Sequence, residues 1–173
     1  MRQYTFATLR LQTEAATFLL ELADPSDQWV DANIRIIREE PFADFRFRDV
    51  QSWMNVDDLR SLRDRIRQHM RDVCKGPTDL MEFLHAHAHE ESVGGDRYGK
   101  HYVPQNLGFT LTLLAGEGKG EGDGGFGVTI LINAGLAGKD KSPGFFGFDC
   151  AVDFRQAESF CADIERVLTK MVG

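Results

Sequence analysis

Cysteine is scarce in this 173-residue chain: Cys74, Cys150 and Cys161 are its three copies, widely spaced and never in a CxxC arrangement. That excludes a disulfide scaffold and a structural zinc cluster built on cysteines. Long apolar runs are missing as well. The opening MRQYTFATLRLQTE is broken by Arg10, Gln12 and Glu14 before a hydrophobic signal region can form, and no stretch reaches the length a membrane-crossing helix needs. The sequence therefore predicts a cytoplasmic protein with no membrane contact. Nor is there an excess of positive charge. The formal net charge is -7, with 12 basic and 13 acidic side chains up to Lys75 and 8 and 14 beyond it. Phosphate contacts need a basic footprint, so the balance argues against nucleic acid and fits a basic protein partner. No GxSxG, HExxH, Walker or kinase pattern occurs, which argues against the common enzyme classes.

What is present is an ordinary globular composition, 42% hydrophobic and 27% charged, long enough for one substantial core or two small packed halves. Two stretches, WVDANIRIIREEPFADFRFRDVQSWMNVDDLRSLRDRIRQHM and GVTILINAGLAGKDKSPGFFGFDCAVDFRQAESFCADIERVL, follow one plan. A constant offset lays Val30, Ala32, Ile34 and Ile36 on Val128, Ile130, Ile132 and Ala134, strand alternation in both copies. It also lays Val56, Leu59, Leu62, Ile66 and Met70 on Phe154, Ala157, Phe160, Ile164 and Leu168, one helical face in each. Between strand and helix, FADFRFRDV and FFGFDCAV alternate with period two, and Asn55 and Asp153 are placed to cap the helices.

Upstream, TFLLELA matches FTLTLLA, with Phe18, Leu20 and Leu22 answering Phe109, Leu111 and Leu113. By itself TEAATFLLEL would serve equally as a helix start; the repeat favours a strand. YTFATLRLQ supplies a first strand, and DLMEFLHAHAHE, residues 79 to 90, is its only counterpart in the second copy. The predicted fold class is α+β, a tandem duplication of a four-strand-plus-helix unit with antiparallel sheets each covered by a helix. The units span residues 1 to 75 and 76 to 173 and pack as one compact protein.

The densest chemistry lies in FLHAHAHEE. On a strand His85, His87 and His89 share one face about 6 to 7 Å apart, and imidazole is a ligand for zinc or nickel. His101, in the inserted stretch ESVGGDRYGKHYVPQN, and Glu90, Glu91 and Asp96 extend the ligand set. The competing reading is a strand face passing from a core at Met81 and Phe83 to solvent, with no metal and no cofactor. GEGKGEGDGGFG matches GxGxxG at Gly120, Gly122 and Gly125, but a strand, VTILIN, follows it and acidic side chains stand where phosphates would approach. A hairpin loop fits it better than a dinucleotide site. Arg60, Arg63, Arg67 and Arg71 line one side of a helix, either as a contact for a partner or as a solvated face tied by Asp57, Asp58 and Asp64. Trp53 reads as a binding aromatic or as a core plug where strand meets helix. Cys150 and Cys161 read as small core residues.

The stretch FRFRDVQSW leading into NVDDLRSLRDRI resembles, in layout, the WapI-type immunity proteins of bacterial polymorphic-toxin systems. Curved antiparallel strands followed by a carboxy-terminal helix are the shared outline, over most of the chain and without a diagnostic motif. The resemblance implies a cytoplasmic, acidic, non-catalytic protein that binds a partner. The functional expectation is therefore a bacterial-type binding protein whose sheet surfaces or acidic second half contact another protein, with Arg60, Arg63, Arg67 and Trp53 as contact residues. The alternative is a metal-binding protein or metal-dependent hydrolase using His85, His87, His89 and His101 with zinc or nickel. A third reading is a homodimer paired through exposed sheet edges.

Overall fold

The computed structural model describes residues 5–23, 25–26, 29–38, 46–75, 100–102, 109–118, 123–133 and 145–172. Their elements run β1 (Thr5–Gln12), β2 (Ala16–Ala23), β3 (Trp29–Arg38), β4 (Arg46–Asn55), α1 (Val56–Lys75), β5 (Lys100–Tyr102), β6 (Phe109–Gly118), β7 (Gly124–Asn133), β8 (Phe145–Asp153) and α2 (Phe154–Val172). The strands form two separate antiparallel sheets, ordered β1-β2-β3-β4 and β5-β6-β7-β8. The fold is α+β, as the alternation implies. The segment 79–90 lies outside the described residues, and the place beside β6 is held by Lys100–Tyr102, from the stretch read as an insertion.

Period-two alternation puts one set of side chains on each sheet's inner face. In the first sheet Leu9, Leu11, Phe18, Leu20, Leu22, Val30, Ala32, Ile34 and Ile36 are buried. In the second, Phe109, Leu111, Leu113, Phe126, Val128, Ile130 and Ile132 do the same work, and all of these side chains belong to one core cluster. The segment at β2, ambiguous between helix and strand, pairs along its length with β1 and β3.

Both helices start the same way. Asn55 Oδ1 accepts from the Asp58 N–H at 2.6 Å while Asp58 Oδ2 accepts from the Asn55 N–H at 3.0 Å. Asp153 and Gln156 exchange the equivalent bonds at 2.7 and 3.0 Å. These reciprocal boxes satisfy amides that the helix itself leaves open and stop each strand at a defined residue.

Each helix then crosses over. The sequence suggests that a helix covers the sheet of its own half, but α1 lies chiefly against β6 and α2 against β1, and the two helices pack on each other. They are antiparallel, and at their crossing equivalent positions meet. Arg63 O faces Cys161 Sγ and Arg67 bonds Glu165, both pairs 98 residues apart. Phe18 and Phe109, matched by the sequence alternation of β2 and β6, also touch each other, edge to face at 5.2 Å. Residues that meet their own equivalents lie on a two-fold axis. Because the crossing gives both sheets one core, Phe18→Ala should cost about 3 to 5 kcal/mol. Urea unfolding followed by fluorescence and by circular dichroism should still give one coincident transition; two separated transitions would contradict a shared core.

The ladder corrects one detail of the repeat. Val30 pairs with Met54 and Phe126 with Val152, each two residues before its helix begins, so Val30 answers Phe126 and not Val128. A shift of two residues keeps every side chain on its face, so alternation cannot detect it. A bulge in β4, where Ile34 faces Val50 and Ile36 faces Phe47, has no match in the regular β7–β8 ladder.

Candidate binding surface

Arg60, Arg63 and Arg67 are placed on α1, where the sequence puts them, but two of them serve the helix pair. Arg67 Nη2 reaches Glu158 at 2.7 Å and Glu165 at 3.0 Å on α2 with its side chain only 27% exposed. Its hydrogen bond to Glu158, reinforced by that to Glu165, raises the guanidinium pKa further above its ordinary value. Arg63 bonds Asp64 at 2.8 Å, the main reason its pKa is also raised, and approaches Glu165 at 3.9 Å. Arg60 pairs with Asp57 one turn back, an exposed contact of small energetic weight. The arginine side of α1 thus fastens one helix to the other.

Trp53 has a different place. Its neighbour Met54 is fully buried and holds the inner position at the end of β4. Trp53 pairs with Asp31 on β3, and its side chain lies outside what is described. Trp29 pairs with Asn55 at the start of β3 and is 41% exposed. Its backbone is fixed from behind: Ser26 donates to the Trp29 carbonyl through its N–H at 2.8 Å and its hydroxyl at 3.2 Å.

The rest of the first sheet's outer face is polar and ordered. Glu21 on β2 accepts from Asn33 Nδ2 at 3.2 Å and from Arg35 at 3.1 Å on β3, a cross-strand network that holds the middle of the sheet. At the far end Ile37 is 45% exposed, opposite Thr17 and Arg46. The second sheet's outer face differs. His101, Thr112, Thr129 and Asp149 stand in one cross-strand row, and the Thr129 hydroxyl donates to Asp149 at 2.5 Å.

The metal reading rests on residues that lie mostly elsewhere. His85, His87 and His89 are outside the described residues, and His101 lies on β5 in register with Thr112. Among the described residues no group of three or more His, Cys, Asp or Glu could hold a metal ion. Gly120 and Gly122 are likewise outside them, but the flanking strands form an antiparallel hairpin closed by the Gly118–Gly124 pair, which is not the strand-to-helix turn of a dinucleotide loop. Gly124 sits at φ 147, where a Cβ would lie 2.4 Å from the Glu117 carbonyl. An open cleft of about 610 Å³ at this hairpin is lined by Glu117, Asp123, Asp153 and Phe154, with Arg155 bonding Asp123 at 3.2 Å.

The thiols show no activating surroundings. Burial pushes the Cys161 thiol up to about 12 and also raises that of Cys150. Cys161 holds its proton more tightly in the fold than in the unfolded chain. Its contribution to stability is therefore complete below its ordinary value near 9 and is lost as pH rises toward 12.

His69 escapes the apolar pattern. It is fully buried, with Leu62, Ile66 and Val73 on the same face of α1. A bulge in β6 between Leu113 and Gly116 interrupts the ladder, and the Leu114 carbonyl there lies 2.7 Å from His69 Nε2. A carbonyl only accepts, so Nε2 carries the proton. The ring also meets Phe126 edge on at 4.9 Å. This contact anchors the β6–β7 hairpin to α1. The helical spacing of three and four residues from Ile66 to His69 to Val73 was the signal available in sequence.

No family model matches the sequence, and no curated protein matches it either.

Two measurements check this assignment. His69→Leu leaves the Leu114 carbonyl without its donor and should cost about 1 to 3 kcal/mol in urea titrations, more than Met70→Leu at the neighbouring position. In native protein at pH 8, iodoacetamide should label Cys74, which is exposed, and spare Cys161 until urea is added.

Proposed function

We propose that this chain is a non-catalytic binding protein that holds another protein against the outer face of its first sheet. The observation that carries this reading is the exposed Trp29. Trp29 is 41% exposed on a sheet whose inner face is already filled, and tryptophan is among the residues that dominate protein contacts. An ordered polar surround of Asp31, Asn33 and Glu21 supplies hydrogen-bonding groups without requiring chemistry.

The repeated order of four strands and a helix, the paired helix caps and the meeting of equivalent residues support a tandem duplication as the origin of the two halves. The layout likeness to WapI-type immunity proteins supports a cytoplasmic, bacterial setting in which the partner is a protein to be neutralised. Fusion of two such units would keep the pairing of the halves within one chain and free one sheet face for that partner.

The test is affinity capture with the immobilised full chain at several salt concentrations, beside the double variant Trp29→Ala, Trp53→Ala. A specific protein held by the wild type and weakened at least about tenfold by the double variant, with its circular dichroism unchanged, is the expected result. Capture that ignores both substitutions, or no specific capture at any salt concentration, would sink the reading.

A further inference from the structure

The last turns of α1 carry positive charge at four-residue spacing, Arg67, Arg71 and Lys75, with Met70 and Cys74 alongside at the same spacing. Where α2 begins beside them, these five residues and Glu158 line an open groove of about 340 Å³. Its charges do not cancel. Glu158 is taken by Arg67 at 2.7 Å, whereas Arg71 Nη2 donates to the neutral Gln68 Oε1 at 2.7 Å, and among the described residues no carboxylate pairs with Arg71 or Lys75. Asp72, an acidic neighbour in sequence, accepts from Gln68 Nε2 at 2.7 Å. Met70 packs against the core cluster, and Cys74 is exposed. A Cβ on Gly118 would lie 3.0 Å from Cys74 Cα, so the base of the β6–β7 hairpin backs the thiol side of the groove. A helix end favours positive charge by itself, but on α2 Leu168 and Thr169 stand where α1 has Met70 and Arg71, so the fold does not require an arginine there.

We infer that this groove binds a carboxylate carried on a short apolar chain, with the carboxylate on Arg71 and Lys75 and the chain over Met70 and Cys74. A guanidinium receives carboxylate oxygens in a two-pronged geometry, and the ammonium adds a point charge beside it. The apolar floor gives a bare inorganic anion nothing beyond the charge, and the volume falls in the range that small molecules fill. Trp29 and the outer face of the first sheet take no part, so the inference is independent of the protein-partner reading above.

Cys74 serves as the reporter, because a bound chain covers its thiol. The full chain at about 50 mM salt is alkylated with neutral iodoacetamide in the presence of octanoate, acetate, octylammonium or a short peptide of glutamates and leucines, and the Cys74 rate is read by mass spectrometry. Octanoate is expected to slow Cys74 saturably by at least about threefold, and Arg71→Gln with Lys75→Gln to raise the octanoate concentration needed at least about tenfold. Acetate and octylammonium are expected to leave the rate unchanged. Both substituted side chains are exposed, and Arg71→Gln alone, checked by its melting curve, covers the case in which the double variant fails to fold. Comparing rates with and without octanoate within each variant removes any direct effect of the lost charges on the thiol. No slowing by octanoate, equal slowing by acetate or octylammonium, or slowing that ignores the substitutions overturns the inference. So does slowing by the peptide and not by octanoate, which would make the occupant a segment of another protein, or a rate that falls as protein concentration rises, which would make it a second copy.

Discussion

Arg67 extends from α1 to two glutamates of α2, and the crossing it marks obliges each helix to leave its own sheet and lie on the other. Everything else follows from that exchange. With the helices crossed, neither sheet can close its inner face without the chain that belongs to the opposite half. The ion pairs add little by themselves, since they are partly exposed and water competes for them. What they add is selectivity: α1 is basic and α2 acidic along the seam, so the pairing of unlike helices is favoured over that of like ones. Beneath the seam, Leu62, Ile66, Phe160 and Ile164 supply the apolar burial that makes it stable.

Burying both inner faces in one core leaves the outer faces outside it. The two are unequal although their strands correspond. Where the first sheet has Trp29 and Asp31 in β3, the second has Gly125 and Gly127 in β7, because Phe126 answers Val30. Leu114 leans over Gly127, whose added Cβ would meet it at 3.1 Å, so the second sheet fills that area with a neighbouring strand's side chain. The two sheets thus differ on a face where core packing does not constrain the side chains.

The parts of the fold readable from sequence were those with a period or a cap. Both helices, their starts at Asn55 and Asp153, and the strand pairs flanking them follow from spacing and from side chains that can bond free amides. The two-residue slip of β3 against β7 was invisible because alternation repeats every two residues. Lys100–Tyr102 was missed because three residues carry too little pattern to outweigh the longer alternation at 79 to 90. On α1 the arginines were recognised as a stripe, but what faces them sits about ninety residues away in the chain and only the crossing brings it near. Trp53 was ambiguous for a simpler reason. Its face depends on which of two adjacent residues, Trp53 or Met54, enters the core, and apolarity does not distinguish them.

The crossing has a topological consequence. Because α2 lies on β1, Lys170 near the end of that helix stands 5.8 Å from the Phe6 ring near the start of the first strand. The first and last described elements are therefore neighbours, and a short linker could join them. If the chain were opened between α1 and β5, the halves would follow each other in the reverse order around the same interior. Sequence order is then a property of the thread and not of the fold, the condition under which a protein tolerates circular permutation.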